Sequence, residues 1–173
     1  TPKFNLSYEL GKNNMVYAQA VKGFRLGGVN GAIPVNLCRP DLDALGITDA
    51  AGDFGSDSVW NYEVGSKNQF LDRRLTLNVS GYYIKWKDMQ TTLTLPSCSS
   101  GFRTNVGKAR SVGLELETRL AATDSLDLYG TLGFTDSRLT EDVPFTTWED
   151  GDTVPAVPRW QISAGARQGF RLF

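Results

Sequence analysis

The sequence predicts an all-β chain: a segment of about seven strands from an antiparallel transmembrane β-barrel, with short periplasmic turns and long extracellular loops. Three observations carry this prediction. Apolar and polar residues alternate with period two through most of the chain, and helical periodicity is nearly absent. Every second connection is tight and the intervening ones are longer, the pattern of a barrel with brief turns on one side of the membrane. Several strands also exceed the roughly 9–11 residues that cross a bilayer at a tilt.

The strands are expected at about 3–10, 14–25, 58–70, 73–93, 102–121, 125–138 and 157–171. In the first, Phe4, Leu6, Tyr8 and Leu10 alternate with Lys3, Asn5, Ser7 and Glu9. The second does not separate cleanly into two faces, and the third is mixed, with Trp60, Tyr62 and Val64 on its more apolar side. The fourth sets Leu75, Leu77, Val79 and Tyr83 against Thr76, Asn78, Ser80 and Tyr82. The fifth sets Val112, Leu114, Leu116 and Leu120 against Ser111, Glu115, Glu117 and Arg119. Leu126, Leu128, Leu132 and Phe134 continue the pattern, as do Trp160, Ile162, Ala164 and Ala166. Gly11–Asn14, Leu71-Asp72 and Ala122–Asp124 are rich in residues that tolerate turn geometry. Longer loops are expected at about 26–57, 94–101 and 139–156.

Chemistry separates a barrel from a soluble antiparallel sandwich, the alternative fold. A row of two carboxylates and a guanidinium is costly in a dry core but tolerable in a wet lumen. Asn78, Ser80, Glu115, Glu117 and Arg119 are therefore the expected lumen-facing residues. Sandwich strands also run shorter, and their loops do not sort by length. Tyr17, Trp60, Tyr82, Tyr83, Trp86, Trp160 and Phe170 suit interfacial aromatic girdles.

Composition removes most enzyme classes. The 173 residues include no histidine, which takes away the usual general base and the commonest transition-metal ligand. A net charge of −1 gives no field for nucleic acid. Gly23–Gly28 lacks the lysine and hydroxyl of a phosphate loop, and the acidic stretch Glu141, Asp142, Glu149, Asp150 and Asp152 lacks calcium-loop spacing. Asn5-Leu6-Ser7 and Asn78-Val79-Ser80 match the glycosylation pattern but fall in strands. No catalytic residue, metal ligand or cofactor is expected. Cys38 and Cys98 lie in polar loop stretches without metal spacing, and two readings stand: a bridge between neighbouring surface loops in an oxidising compartment, or two unpaired thiols. Thr1-Pro2-Lys3 opens without a signal peptide and reads as a mid-protein start.

Five stretches carry a family resemblance: Tyr17–Arg25 (YAQAVKGFR), Trp60–Lys67 (WNYEVGSK) followed by Phe70–Leu75, Tyr82–Gln90 (YYIKWKDMQ), Asn105–Glu117 (NVGKARSVGLELE) and Val157–Trp160. In this order and spacing they resemble the barrel of TonB-dependent outer-membrane receptors. Leu26 departs from the proline common at that loop in relatives. The resemblance implies that residues 1–173 are a partial barrel domain, incomplete at both ends and roughly the middle-to-late third of a 22-stranded barrel; neither plug domain nor TonB box is visible. It implies bacterial outer-membrane uptake of a scarce nutrient, most often a ferric siderophore, energised by TonB with ExbB and ExbD through the plug. The barrel wall would contact outer-membrane lipid. Arg25, Trp60, Arg103 and Trp148 are the candidate ligand contacts, arginine for an anionic chelate and tryptophan for stacking on a catecholate or sugar ring. A passive porin-like channel and a soluble carbohydrate-binding or adhesive sandwich are the alternatives. Without detergent, an isolated segment of this kind is expected to associate rather than remain monomeric.

Overall fold

The computed structural model describes residues 1–48, 52–144 and 146–170; Arg171 and Phe173, the end of the last predicted strand and the final aromatic residue, lie outside these. In chain order the elements are β1 (Lys3–Gly11), β2 (Asn14–Arg25), β3 (Gly28–Val29), α1 (Val35–Ala44), β4 (Asp53–Phe54), β5 (Asp57–Phe70), β6 (Leu75–Lys87), β7 (Gln90–Leu95), β8 (Ser100–Asn105), β9 (Ala109–Ala121), β10 (Leu126–Leu139) and β11 (Trp160–Gln168). Seven of the strands form one antiparallel sheet in the order β1-β2-β5-β6-β9-β10-β11, each paired with its neighbour in sequence, leaving β1 and β11 as edges. The expected all-β fold and its strand succession are thus present. No second sheet covers this one among the described residues, which is the difference from a sandwich.

The short connections fold as their residues suggest. Gly11 pairs with Asn14 around Lys12-Asn13. In the β5–β6 turn, Leu71, Asp72 and Arg73 all adopt the left-handed conformation, at φ of 54°, 52° and 68°. This conformation costs non-glycine residues energy and holds only where flanking strands dictate it. In the β9–β10 turn the Thr123 hydroxyl accepts from the backbone N–H groups of Ser125 and Leu126.

Two expectations need correction. The predicted strands 73–93 and 102–121 are each broken. β6 and β9 pair as far as Trp86 and Ala109, and a separate β7–β8 hairpin begins at Gln90 and Asn105. Asp88 (φ 55°) and Gly107 (φ 85°) turn the chain at the break. A side chain at Gly107 would also press on Val143, 3.0 Å from where its Cβ would lie. The apolar positions change parity at the break, from Leu75, Leu77, Val79 and Tyr83 to Ile84 and Trp86 and back to Met89, Leu93 and Leu95.

The second correction is α1, inside the predicted loop 26–57. Val35, Cys38, Leu42 and Leu45 recur at helical spacing, and Pro40 within the helix obscures that signal. The helix ends in a Schellman arrangement: Ile47 N–H donates to the Leu42 carbonyl and Gly46 N–H to that of Asp43, with Gly46 at φ 67°.

Burial is concentrated above the loop end of the sheet. Cys38, Leu42, Leu93, Leu95 and Phe102 form one small core under α1. Met89, Val106, Ala109, Leu139 and Val143 form another at the base of the hairpin. The sheet itself buries little. On its apolar face Leu6 is 74% exposed, Val64 62%, Leu114 61% and Ile162 76%. A contiguous apolar surface of this extent needs a non-aqueous neighbour.

Candidate functional site

Cross-strand register sorts the seven strands into two faces. One carries Val16, Val64, Val79, Leu114, Leu116, Leu132 and Ile162 in neighbouring register. The other carries Tyr17, Glu63, Lys67, Asn78, Ser80, Glu115, Glu117, Thr131 and Gln161, which line a shallow groove. Asn78 faces Glu117 across β6 and β9 and donates to its carboxylate at 3.0 Å, and Ser80 faces Glu115. Arg119 pairs with Asp127 at 2.8 Å. The Tyr17 hydroxyl donates to Glu63 at 2.6 Å, and the Lys67 ammonium lies 5.8 Å from the Tyr17 ring centroid. This is a polar, mixed-charge lining, and among the described residues that form it there is no nucleophile–base pair.

Three tyrosines stiffen this face by lying over glycines of the next strand. Tyr17 faces Gly65, Tyr82 faces Gly113 and Tyr129 faces Gly165, and a Cβ at any of the three glycines would collide with the ring. The ring covers backbone that glycine leaves bare, and the glycine supplies the space. Tyr17 and Tyr82, expected among the interfacial aromatics, therefore belong to the polar face, as does Trp86. Trp60, Tyr83 and Trp160 lie on the apolar face, where Trp60 stacks on Tyr62 at 5.7 Å.

Above the groove, Asp57 joins four elements. It is 2% exposed. It accepts from the Arg25 backbone N–H at 3.1 Å, from the Arg25 guanidinium, from Trp86 Nε1 at 3.0 Å and from the Gln90 backbone N–H at 3.4 Å. Burial pushes the Asp57 carboxyl up, but the Arg25, Trp86 and backbone donors outweigh it and hold the group below the usual carboxylate range. Arg25 also lies 5.0 Å over the Trp86 ring, so its charge is already matched within the protein. Farther along, a hydrogen bond from Lys108 to Glu141 at 2.6 Å raises the Lys108 ammonium above its ordinary value.

The loops form a cap. The sulfurs of Cys38 and Cys98 are bonded at 2.09 Å, tying α1 to the turn that follows β7. Asp41 accepts from the Ser97 backbone and hydroxyl across the same junction. Asn30 pairs through its side chain with both backbone groups of Arg103, stitching the preceding loop to β8. The Arg103 guanidinium is exposed and lies 5.4 Å from the Phe54 ring centroid. Trp148 is 36% exposed in the loop after β10.

The structure thus brings Asn78, Ser80, Glu115, Glu117 and Arg119 onto one face, and it does not bring the four candidate ligand contacts together. Arg25 is engaged by Asp57, Trp60 points with the apolar face, and Arg103 and Trp148 sit in separate parts of the cap. Sequence reasoning missed Asp57 and the tyrosine–glycine pairs. Their signal exists only between strands, where register rather than local pattern sets the partner. Among the described residues no cluster of metal-ligating side chains occurs.

Comparison with known proteins agrees with this architecture. A family model described as TonB dependent receptor-like, beta-barrel, matches residues 1–172. The metal-pseudopaline receptor CntO of Pseudomonas aeruginosa is 27% identical over 143 residues, covering 82% of this chain and 17% of CntO. The probable TonB-dependent receptor BfrD of Bordetella pertussis is 32% identical over 101 residues, 58% of this chain and 13% of that protein. Among solved structures, the ferric yersiniabactin uptake receptor FyuA from Yersinia pestis superposes with a TM-score of 0.72 at 22% identity, covering 96% of this chain and 22% of that one. The chain thus spans under a fifth of the length of these curated relatives.

Proposed function

This chain belongs to the TonB-dependent receptor β-barrel family, and on that premise we propose that it is part of the wall and extracellular cap of a bacterial outer-membrane receptor importing a scarce nutrient, most consistently a ferric siderophore or related metal chelate. The observation that carries the reading is the sheet with one apolar face exposed and one polar face lined by Glu63, Asn78, Glu115 and Glu117. Lipid satisfies the first face, and an aqueous or plug-filled lumen satisfies the second. The names of CntO and FyuA, a metal-chelate receptor and a ferric-chelate uptake receptor, favour a chelate as the ligand class.

In this reading residues 1–173 are a partial barrel domain, Asn78, Ser80, Glu115, Glu117 and Arg119 face the lumen, and the cap makes first contact with ligand. Of the candidate contacts, Arg103 and Trp148 present accessible side chains for an anionic chelate and for a planar ring. The metal travels inside its chelator as cargo. Energy comes from TonB with ExbB and ExbD acting on a plug, as for the family.

The test is uptake of radioactive iron by cells carrying or lacking the gene for the whole protein, with iron supplied on catecholate, hydroxamate and mixed-ligand chelators. Gene-dependent uptake that stops when TonB is deleted is expected. Uptake that continues without TonB would make the protein a passive channel, and no gene-dependent uptake of any iron chelate would remove the siderophore assignment.

A further inference from the structure

Arg103 is a cation of the cap that the protein leaves unneutralised. Arg25 is matched by Asp57, Arg39 by Asp43 and Lys108 by Glu141. Arg103 makes no ion pair, and its guanidinium no hydrogen bond, among the described residues. Its neighbour on β8, Phe102, is buried in the core beneath α1. Successive side chains leave a strand on opposite faces, so Arg103 projects away from that core.

Contacts from two sides fix where this charge sits. Asn30 holds the Arg103 backbone: its Nδ2 donates to the Arg103 carbonyl and its Oδ1 accepts from the Arg103 N–H, both at 2.7 Å. Two residues along β8, Asn105 does the same to Gly55, accepting from its N–H and donating to its carbonyl at 3.1 Å. Each asparagine meets both backbone groups of its partner, as a neighbouring strand would, so β8 is fastened to the β3–β4 pair by two clasps running in opposite directions. Phe54, adjacent to Gly55, then lies with its ring centroid 5.4 Å from Arg103 Cζ. The ring has its own seat: Gly28 stands opposite Phe54 in the β3–β4 pair, and a Cβ at Gly28 would lie 2.9 Å from the ring. An aromatic ring steadies a guanidinium without neutralising its charge or using up the N–H fork that matches an oxyanion. An anion arriving at Arg103 therefore meets a cation whose freedom is already reduced, which lowers the entropy lost on binding.

We propose that Asn30 and Phe54 are positioning residues that hold Arg103 as an anion-recognising group of the cap, and that the chelate it takes presents an oxyanion, a carboxylate or catecholate oxygen, to the arginine fork. The inference rests on the chelate-receptor reading above. It divides the work among three side chains: Arg103 touches the ligand, and the asparagine and the ring act only through Arg103.

The experiment uses the whole receptor, with chelate binding measured in detergent and radioactive iron uptake measured in cells. The probes are ferric citrate and ferric enterobactin, both anionic, and ferrioxamine B, a cation. The wild type is expected to bind at least one anionic chelate and to prefer it to ferrioxamine B. Arg103→Gln should weaken that binding at least about tenfold, and Asn30→Ala and Phe54→Leu about threefold or more. In uptake, these losses should appear as a higher half-saturation concentration at an unchanged maximal rate. The double variants N30A/R103Q and F54L/R103Q should bind no more weakly than R103Q, because the positioning residues have nothing left to position. Arg39→Gln, which removes a matched cation on α1, should bind as wild type. Undiminished binding by R103Q overturns the proposal, as does an equal loss in R39Q, equal binding of ferrioxamine B, or binding of neither anionic chelate. Losses in N30A and F54L that persist in full without Arg103 overturn the positioning roles. Should N30A fail to reach the membrane, F54L and R103Q, which break no backbone clasp, carry the test. Gene-dependent uptake that is unchanged in R103Q defeats only the Arg103 assignment, whereas the absence of gene-dependent uptake of any ferric chelate defeats the receptor reading itself.

Discussion

Reducing the Cys38–Cys98 bridge should loosen the cap without touching the barrel wall. The cysteines are 60 residues apart in sequence, but β5 and β6 lie between them and are held in register, with Ser58 opposite Lys87. While the sheet stays intact, the bridge closes a loop made only of residues 38–56 and 88–98, about 30 residues, for which loop-closure entropy amounts to about 3.5 kcal/mol. That corresponds to roughly a 300-fold shift in the opening equilibrium. The contacts of Leu42 with the β7–β8 core and the Ser97–Asp41 hydrogen bonds remain after reduction, so the cap should open transiently rather than detach. Amide hydrogen exchange on the whole receptor in detergent, with and without reductant, reads this directly. Protection at Leu42, Leu93 and Phe102 is expected to fall by two to three orders of magnitude, with β6 and β9 unchanged below the Trp86–Ala109 pair. Protection at α1 that changes less than about tenfold would refute the loop-closure reasoning. Loss spreading evenly into β9 would refute the separation of cap from wall.

Two further outcomes follow from the faces and the Asp57 hub. Leu116→Arg, at the centre of the apolar run on β9, should cost about 2–4 kcal/mol of folding stability in lipid vesicles, whereas Glu115→Gln on the opposite face should stay within about 0.5 kcal/mol; equal effects in denaturant titrations would contradict the face assignment. Asp57 is held below the usual carboxylate range, so its contribution is complete above the unfolded value of about 3.9 and is lost as pH falls below that toward the folded pKa. The Trp86 indole N–H resonance should therefore shift in that acid range in the wild type and lose its pH dependence in Asp57→Asn, which should also loosen the junction by about 1–3 kcal/mol. An identical titration in the two proteins would show that another group controls it.

Period-two alternation by itself determined the strand succession, the sorting of short turns from long loops, and the partition of Asn78, Ser80, Glu115 and Glu117 from Val79, Leu114 and Leu116. These are local properties: each residue's face follows from its neighbours two positions away, because the pleat repeats every two residues. The family resemblance was legible for the same reason, since its motifs lie within single strands and hairpins. Tertiary structure decided what depends on distant partners. The sequence places residues 73–93 in one strand, yet the strand breaks at Asp88, whose carbonyl accepts from the Asn105 side chain while the Met89 N–H donates to the Gly107 carbonyl. The helix α1 forms despite Pro40 because Leu42 and Cys38 find an apolar seat on Leu95 and Phe102, residues more than fifty positions away. That same docking brings Cys98 to Cys38, which spacing could not establish. Arg25 reads in sequence as a free cation for a ligand, and only the register that sets it opposite Asp57 shows its charge already matched. Trp60 stood on the more apolar side of its strand from the outset, but only the pairing across five strands places it among Lys22, Lys85 and Arg110. A side chain's face is written in its own strand, whereas its partners are fixed by register and chain return, which no local pattern encodes.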